Sequence, residues 1–268
     1  MFQVISYHKI RRAIGFIGIC LPFVLWTGNA LLNYIQFAQG TRWIKYNGNY
    51  VPATSLKPSI SHFYYTTMGE VFTGALCAVA LFLFCYKGYE RRPQDKVKWI
   101  PGDNFMANAA GIFALGVVLC PTSGDVGFTD NFRAFVSTEI TGYIHYSFAA
   151  LFFLTLALMS MFNFRRTADP NDFGEMKSHP LYLWCGIIMI SCMLVLGGIF
   201  VYGKKHPEFL VWTDKYSVTY WLETVMLLAF GFSWLAKGEV DQMVFNTNIL
   251  GNGQPKSTIN VNNPTPAN

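Results

Sequence analysis

The run ITGYIHYSFAALFFLTLALMSMFNF, residues 140–164, holds 25 consecutive positions without Asp, Glu, Lys or Arg. An α-helix rises ~1.5 Å per residue, so about 20 such residues cross the ~30 Å hydrocarbon core of a bilayer. The run lacks the period-two alternation of a membrane β-strand, and a backbone in lipid must close its own hydrogen bonds, so the reading is a spanning helix. The same pattern recurs on both sides. Residues 13–41 are uncharged for 29 positions, 104–124 for 21 and 178–203 for 26. Two further runs, 58–86 and 216–236, are each interrupted by one acidic residue, Glu70 and Glu223. The chain therefore reads as an all-α polytopic membrane protein, a bundle of six transmembrane helices. The spans lie near 13–35, 64–86, 104–121, 140–163, 181–203 and 216–236, in one domain over 1–237.

Composition excludes the main rivals. Of 268 residues, 52% are hydrophobic and 13% charged, against roughly 25% charged in a soluble domain. A soluble enzyme, a disordered chain or a coiled coil would not carry this much apolar side chain. The net charge of +5 belongs to orientation. With the N-terminus in the cytoplasm, the inner side holds 13 of the 20 Lys and Arg residues and the outer side 7, the inner ones clustering at Lys9, Arg11 and Arg12 and at Lys87, Arg91, Arg92, Lys96 and Lys98. The positive-inside bias thus places both termini in the cytoplasm and the protein in the cell (inner) membrane, with no role for nucleic acid. The first apolar run is longer than the core of a signal peptide and holds Trp26, Asn29 and Asn33, so it reads as a retained span. Residues 238–268 are polar and rich in Asn and Pro and read as a disordered cytoplasmic tail. The tail and the inner loops are surfaces for protein partners. The longest outer loop, 36–63, carries Trp43, Tyr46 and Tyr50.

All six cysteines fall in the spans, where Cys acts as a small hydrophobe. No C-x-x-C pair, P-loop, G-x-S-x-G or H-E-x-x-H stretch occurs. Only His145 lies well inside a span, too few histidines for a two-haem bundle. Nothing in the pattern requires a metal or another cofactor.

Ionisable side chains in spans are costly, which makes each a candidate site residue. Glu70, His145 and Glu223 sit in the second, fourth and sixth spans, each about five to seven positions from the expected outer end. Asn29, on the first span, reaches a similar depth. The spacing predicts one polar layer in the outer half of the bilayer, with Glu70, His145 and Glu223 as catalytic candidates. Asn29, Ser61, His62 and Asp125 are candidates for a lipid headgroup. Each also has a structural reading: a helix cap for Glu70, a bond to a neighbouring backbone for His145, a buried pair for Glu223, interhelical glue for Asn29 and a solvated loop for Asp125. Gly74, Gly111, Gly116, Gly197 and Gly198 are read as sites of close helix approach.

Several short motifs add a resemblance. Pro58-Ser-Ile-Ser-His62 followed by Phe72-Thr-Gly74 is similar to the opening of the second helix in the Frag/DRAM/Sfk-type six-helix membrane proteins. Gly116-Val-Val-Leu-Cys-Pro121 is similar to the end of their third helix. Ile144-His145-Tyr-Ser-Phe-Ala-Ala-Leu-Phe-Phe153 resembles their H-x-x-x-A-x-x-x-F fourth helix, and the likeness covers about residues 10–236. His145 and Ser61 match the pattern, whereas His62 stands where the family usually has Asp. The resemblance implies lipid-related work at the membrane without fixing a reaction. A weaker likeness is to seven-helix ceramidase/adiponectin-receptor hydrolases, whose H-x-x-x-H pair is absent here. The sequence thus leads to binding or processing of a membrane lipid, with His145 as general base in an enzymatic version. The alternatives are a non-enzymatic membrane scaffold or partner subunit and a proton-coupled transporter.

Overall fold

The computed structural model of the protein describes residues 7–36, 43–46, 49–52, 56–88, 98–122, 139–165 and 180–252. Those residues are overwhelmingly helical. Helices α1 (Tyr7–Gln36), α2 (Gly69–Cys85), α3 (Asp103–Leu119), α4 (Glu139–Leu158), α5 (Pro180–Gly203), α6 (Pro207–Lys215) and α7 (Val218–Asn252) follow in chain order. A 3-10 segment, Ile60–Tyr65, precedes α2, and a π turn, Met159–Asn163, extends α4. The stretch between α1 and the 3-10 segment contains a small antiparallel hairpin, β1 (Trp43–Tyr46) and β2 (Asn49–Pro52), with Trp43 opposite Pro52 and Tyr46 opposite Asn49.

Four stretches are long and apolar enough to cross a membrane: Lys9–Ile35, Ile140–Asn163, Pro180–Gly203 and Val218–Gly238. The chain is therefore an integral membrane protein by helix length and composition. Helices α2 and α3 are apolar but 17 residues each, about 25 Å at ~1.5 Å per residue.

Helix α1 begins six residues before the expected 13, and three other boundaries differ from the sequence expectation, each for a local reason. The second helix begins at Gly69 rather than near 64. The Thr66 hydroxyl donates to the Phe63 carbonyl (2.8 Å) and accepts from the Met68 N–H (3.1 Å), bonds that compete with helix formation. The last span is preceded by a separate helix, α6, because Ser217 adopts a positive φ of 51° and breaks the run. Helix α7 continues through Asn252 into the stretch expected to be disordered tail. No Pro interrupts the chain between Val218 and Asn252, and Gly251 comes only at the end. Residues 253–268 lie outside the described residues.

Helix α1 packs on α7, α2 on α3, α3 on α4, and α5 on α4 and α7. The α1–α7 crossing is close because of two glycines. A Cβ at Gly231 would lie 2.7 Å from the Gly15 carbonyl oxygen and 2.5 Å from Ile19 Cγ1. Gly116 plays the same part between α3 and α4, where an added Cβ would lie 2.4 Å from the Phe148 ring. Gly111 faces Phe84, whereas Gly74, Gly197 and Gly198 face open space, so the expectation of close packing fails for those three.

Polar contacts divide the bundle into two ends. At one, Arg11 donates to the Tyr86 hydroxyl (3.1 Å), which donates to fully buried Asp103 (3.3 Å), and Asn163 donates to the same carboxylate (2.8 Å). Lys237 closes that end with a bond to the Phe164 carbonyl (3.2 Å). Trp234, fully buried, stacks edge-on against Tyr86 and Phe164 beneath it. Arg11 and Lys237, read from the sequence as membrane-orienting charges, are buried. The other end carries the candidate site.

Candidate functional site

The site is built around residues 57–62, which lead from the hairpin into α2. This segment is tucked between the ends of α4 and α7. Lys57, Pro58, Ser59 and Ile60 are buried. Two helices hold it. From α7, the Tyr220 N–H donates to the Pro58 carbonyl (2.7 Å), and Glu223 Oε2 accepts the Ile60 N–H (2.6 Å). A 3-10 helix leaves its first N–H groups without an intrahelical partner, and a carboxylate is the strongest side-chain acceptor for one of them.

From α4, His145 reaches the same segment. Its Nδ1 lies 2.7 Å from the Cys120 carbonyl and 3.2 Å from the Val117 carbonyl, and its Nε2 lies 2.8 Å from Ser61 Oγ. The carbonyls fix the tautomer. They can only accept, so Nδ1 carries the proton, and in the neutral ring Nε2 is the bare nitrogen. Ser61 Oγ–H therefore donates to His145 Nε2. The two carbonyls belong to the last turn and cap of α3, where main-chain oxygens lack helical partners and the helix dipole is negative. His145 is 2% exposed while Ser61 is half-buried.

A second Ser–His contact lies beside the first, between Ser59 Oγ and His62 Nδ1 at 2.5 Å. Burial pushes His62 down to about 4, and the neighbouring His145 and Lys57 charges add to it. Burial likewise lowers Lys57 to about 8. Around this core Tyr65 donates to the Thr122 carbonyl (2.6 Å), and the Thr122 hydroxyl donates to the Tyr146 oxygen (3.3 Å). Phe63 packs against Tyr220.

The structure brings together His145, Glu223, Ser61 and His62. It does not bring in Glu70. The later start of α2 puts that residue in the first helical turn, exposed, where the helix dipole favours a carboxylate. Asn29 is fully buried and accepts from Asn33 (3.0 Å) and from Thr67 (3.5 Å), which ties α1 to the start of α2 beside the site. Asp125 lies outside the described residues. Sequence reading missed Lys57 as a member of the cluster and Val117 and Cys120 as carbonyl partners. The Pro58-Ser-Ile-Ser-His62 motif was the available signal for the segment. Among the described residues no three His, Cys, Asp or Glu side chains gather as a metal site would need.

No protein-family model, curated protein or solved structure matches the chain.

Proposed function

We propose that this integral membrane protein binds or processes a membrane lipid at the end of the bundle formed by residues 57–62, α4 and α7. Six crossings are part of this reading, with both termini cytoplasmic and the site in the outer half of the bilayer. The supporting observation is the convergence of His145 and Glu223, from two spans, on one short segment that also supplies Ser61 and His62. Polar side chains clustered at a helix end can hydrogen-bond a headgroup, while the partly exposed Tyr65 and the exposed Tyr146 beside them suit the acyl boundary.

Mass spectrometry of lipids retained by the gently purified protein, wild type beside His145→Ala, tests this. One lipid class should be enriched in the wild type and lost in the variant. Equal amounts of bulk lipid in both would overturn lipid handling here. They would favour a scaffold role, in which the same bonds only hold the helices together.

A further inference from the structure

The geometry points to Ser61 as a covalent nucleophile, with His145 as its general base and a carboxylic ester of a membrane lipid as substrate. This rests on the lipid reading above and gives that site a reaction. Three features of the site argue for it.

The first is the direction of the Ser61–His145 bond. The hydroxyl proton points at Nε2 across 2.8 Å, which is the contact a base needs to take that proton during attack. The second is how the imidazole is held. In nucleophile–base pairs a third group usually orients the base through its far nitrogen. Here the Val117 and Cys120 carbonyls do so through Nδ1. Being at the C-terminal end of α3, they also favour the positive imidazolium that forms when Nε2 is protonated. The third is exposure: His145 is buried, whereas Ser61 is partly exposed, so a substrate that approaches Ser61 need not displace the base.

Ester follows from position. Ser61 lies on the segment just before α2 begins, at the end of the bundle rather than its middle. Glycerolipid ester groups occupy the boundary between headgroup and acyl chain, the depth of such a helix end.

The chemistry balances as acyl transfer. The Ser61 oxygen lone pair forms a bond to the ester carbonyl carbon as His145 Nε2 takes the hydroxyl proton. The bond from that carbon to the alcohol oxygen then breaks, and Nε2 returns the proton to the departing alkoxide. This leaves an acyl-serine. Water, or the hydroxyl of a second lipid, gives its proton to Nε2 and attacks the acyl carbon. Ser61 oxygen leaves and recovers its proton. Nothing is oxidised or reduced.

A fluorophosphonate probe reports such a serine directly. The full chain, in detergent or nanodiscs, should take one adduct, and peptide mass analysis should place it on Ser61. Ser61→Ala should abolish labelling, His145→Gln should slow it by about 100-fold, the lower end of general-base contributions, and Ser191→Ala, at an exposed serine of α5 away from the site, should label as wild type does. Vesicles of phosphatidylcholine or phosphatidylethanolamine should lose fatty acid to wild type and not to Ser61→Ala. A folded wild-type protein, checked by thermal unfolding, that takes no label, or takes it on Ser59, overturns the assignment. Class-selective lipid retention with an unlabelled Ser61 overturns the nucleophile and leaves lipid binding intact. Bulk lipid only, together with no label, overturns both.

Discussion

Glu223 shows how one side chain in the site can act without touching a substrate. Its carboxylate accepts the Ile60 N–H at 2.6 Å, so it positions the segment that carries Ser61. Glu223→Ala orphans that N–H, and a buried unpaired donor costs about 1–3 kcal/mol. Glu223→Gln keeps a carbonyl oxygen in place. The expected result is a lowered melting temperature and weaker probe labelling of Ser61 in the Ala variant, with Gln restoring most of both. Equal loss in Ala and Gln would mean that the negative charge, rather than the acceptor, is what matters. His62 gives a second test at this scale. Its folded value of about 4 lies below the ordinary 6.5, so between those values the unfolded chain binds more protons than the folded one. Stability is then complete above about 6.5 and falls as pH drops toward 4, by up to about 3 kcal/mol at 1.36 kcal/mol per pH unit. His145 and Glu223 also titrate, so the informative quantity is a difference. Melting temperatures of wild type and His62→Asn, measured from pH 7 to pH 4, should converge or cross because the variant loses less. Parallel curves would sink this account.

Individual helices were read from the sequence with unequal success. Helices α3 and α5, and α4 taken with its π turn, begin and end within about two residues of expectation, because charged residues bracket apolar runs and lipid leaves the backbone no alternative. The start of α2 was not legible, since it depends on the hydroxyl geometry of Thr66, and neither was the break at Ser217. His145 and Glu223 stood out as ionisable groups in spans. Their partners did not, because the Ser61 oxygen and the Ile60 N–H are 84 and 163 residues away in the chain, and only the fold joins them. Gly116 links element packing to the site. Phe148 lies one turn beyond His145 on α4, and its ring occupies the space a Cβ at Gly116 would fill. Gly116→Ala should push α4 from the end of α3 and lengthen the His145–carbonyl bonds. Overpacking of this kind costs about 1–3 kcal/mol. Thermal unfolding should show that loss, and Gly116→Ala with Phe148→Leu should recover part of it. Gly74→Ala, where open space surrounds the added carbon, is the control and should leave stability within about 0.5 kcal/mol of wild type.

At the scale of the whole molecule the question is how many helices cross the bilayer, since α2 and α3 are shorter than the other four. Helix α3 nevertheless touches both polar ends of the bundle. Its first residue, Asp103, meets Tyr86 and Asn163 at one end, and the carbonyls of Val117 and Cys120 meet His145 at the other. The stretch of α4 from His145 to Asn163 therefore runs alongside all of α3. If α4 crosses the membrane, α3 covers nearly the same thickness, and a bilayer thins locally around short helices at a modest cost per ångström. Helix α2 covers a similar depth, because the 3-10 segment before it adds about 2 Å per residue. Six crossings put the connection 89–97, with Arg91, Arg92 and Lys96, on the cytoplasmic side with the N-terminus. Four crossings, with α2 and α3 dipping in and returning, would keep it from reaching the cytoplasm. A reporter that is active only in the cytoplasm, inserted within 89–97, should be active, and one inserted within 123–138 should be silent. Activity at neither position, with the protein present in the membrane, would mean that α2 and α3 form a re-entrant pair.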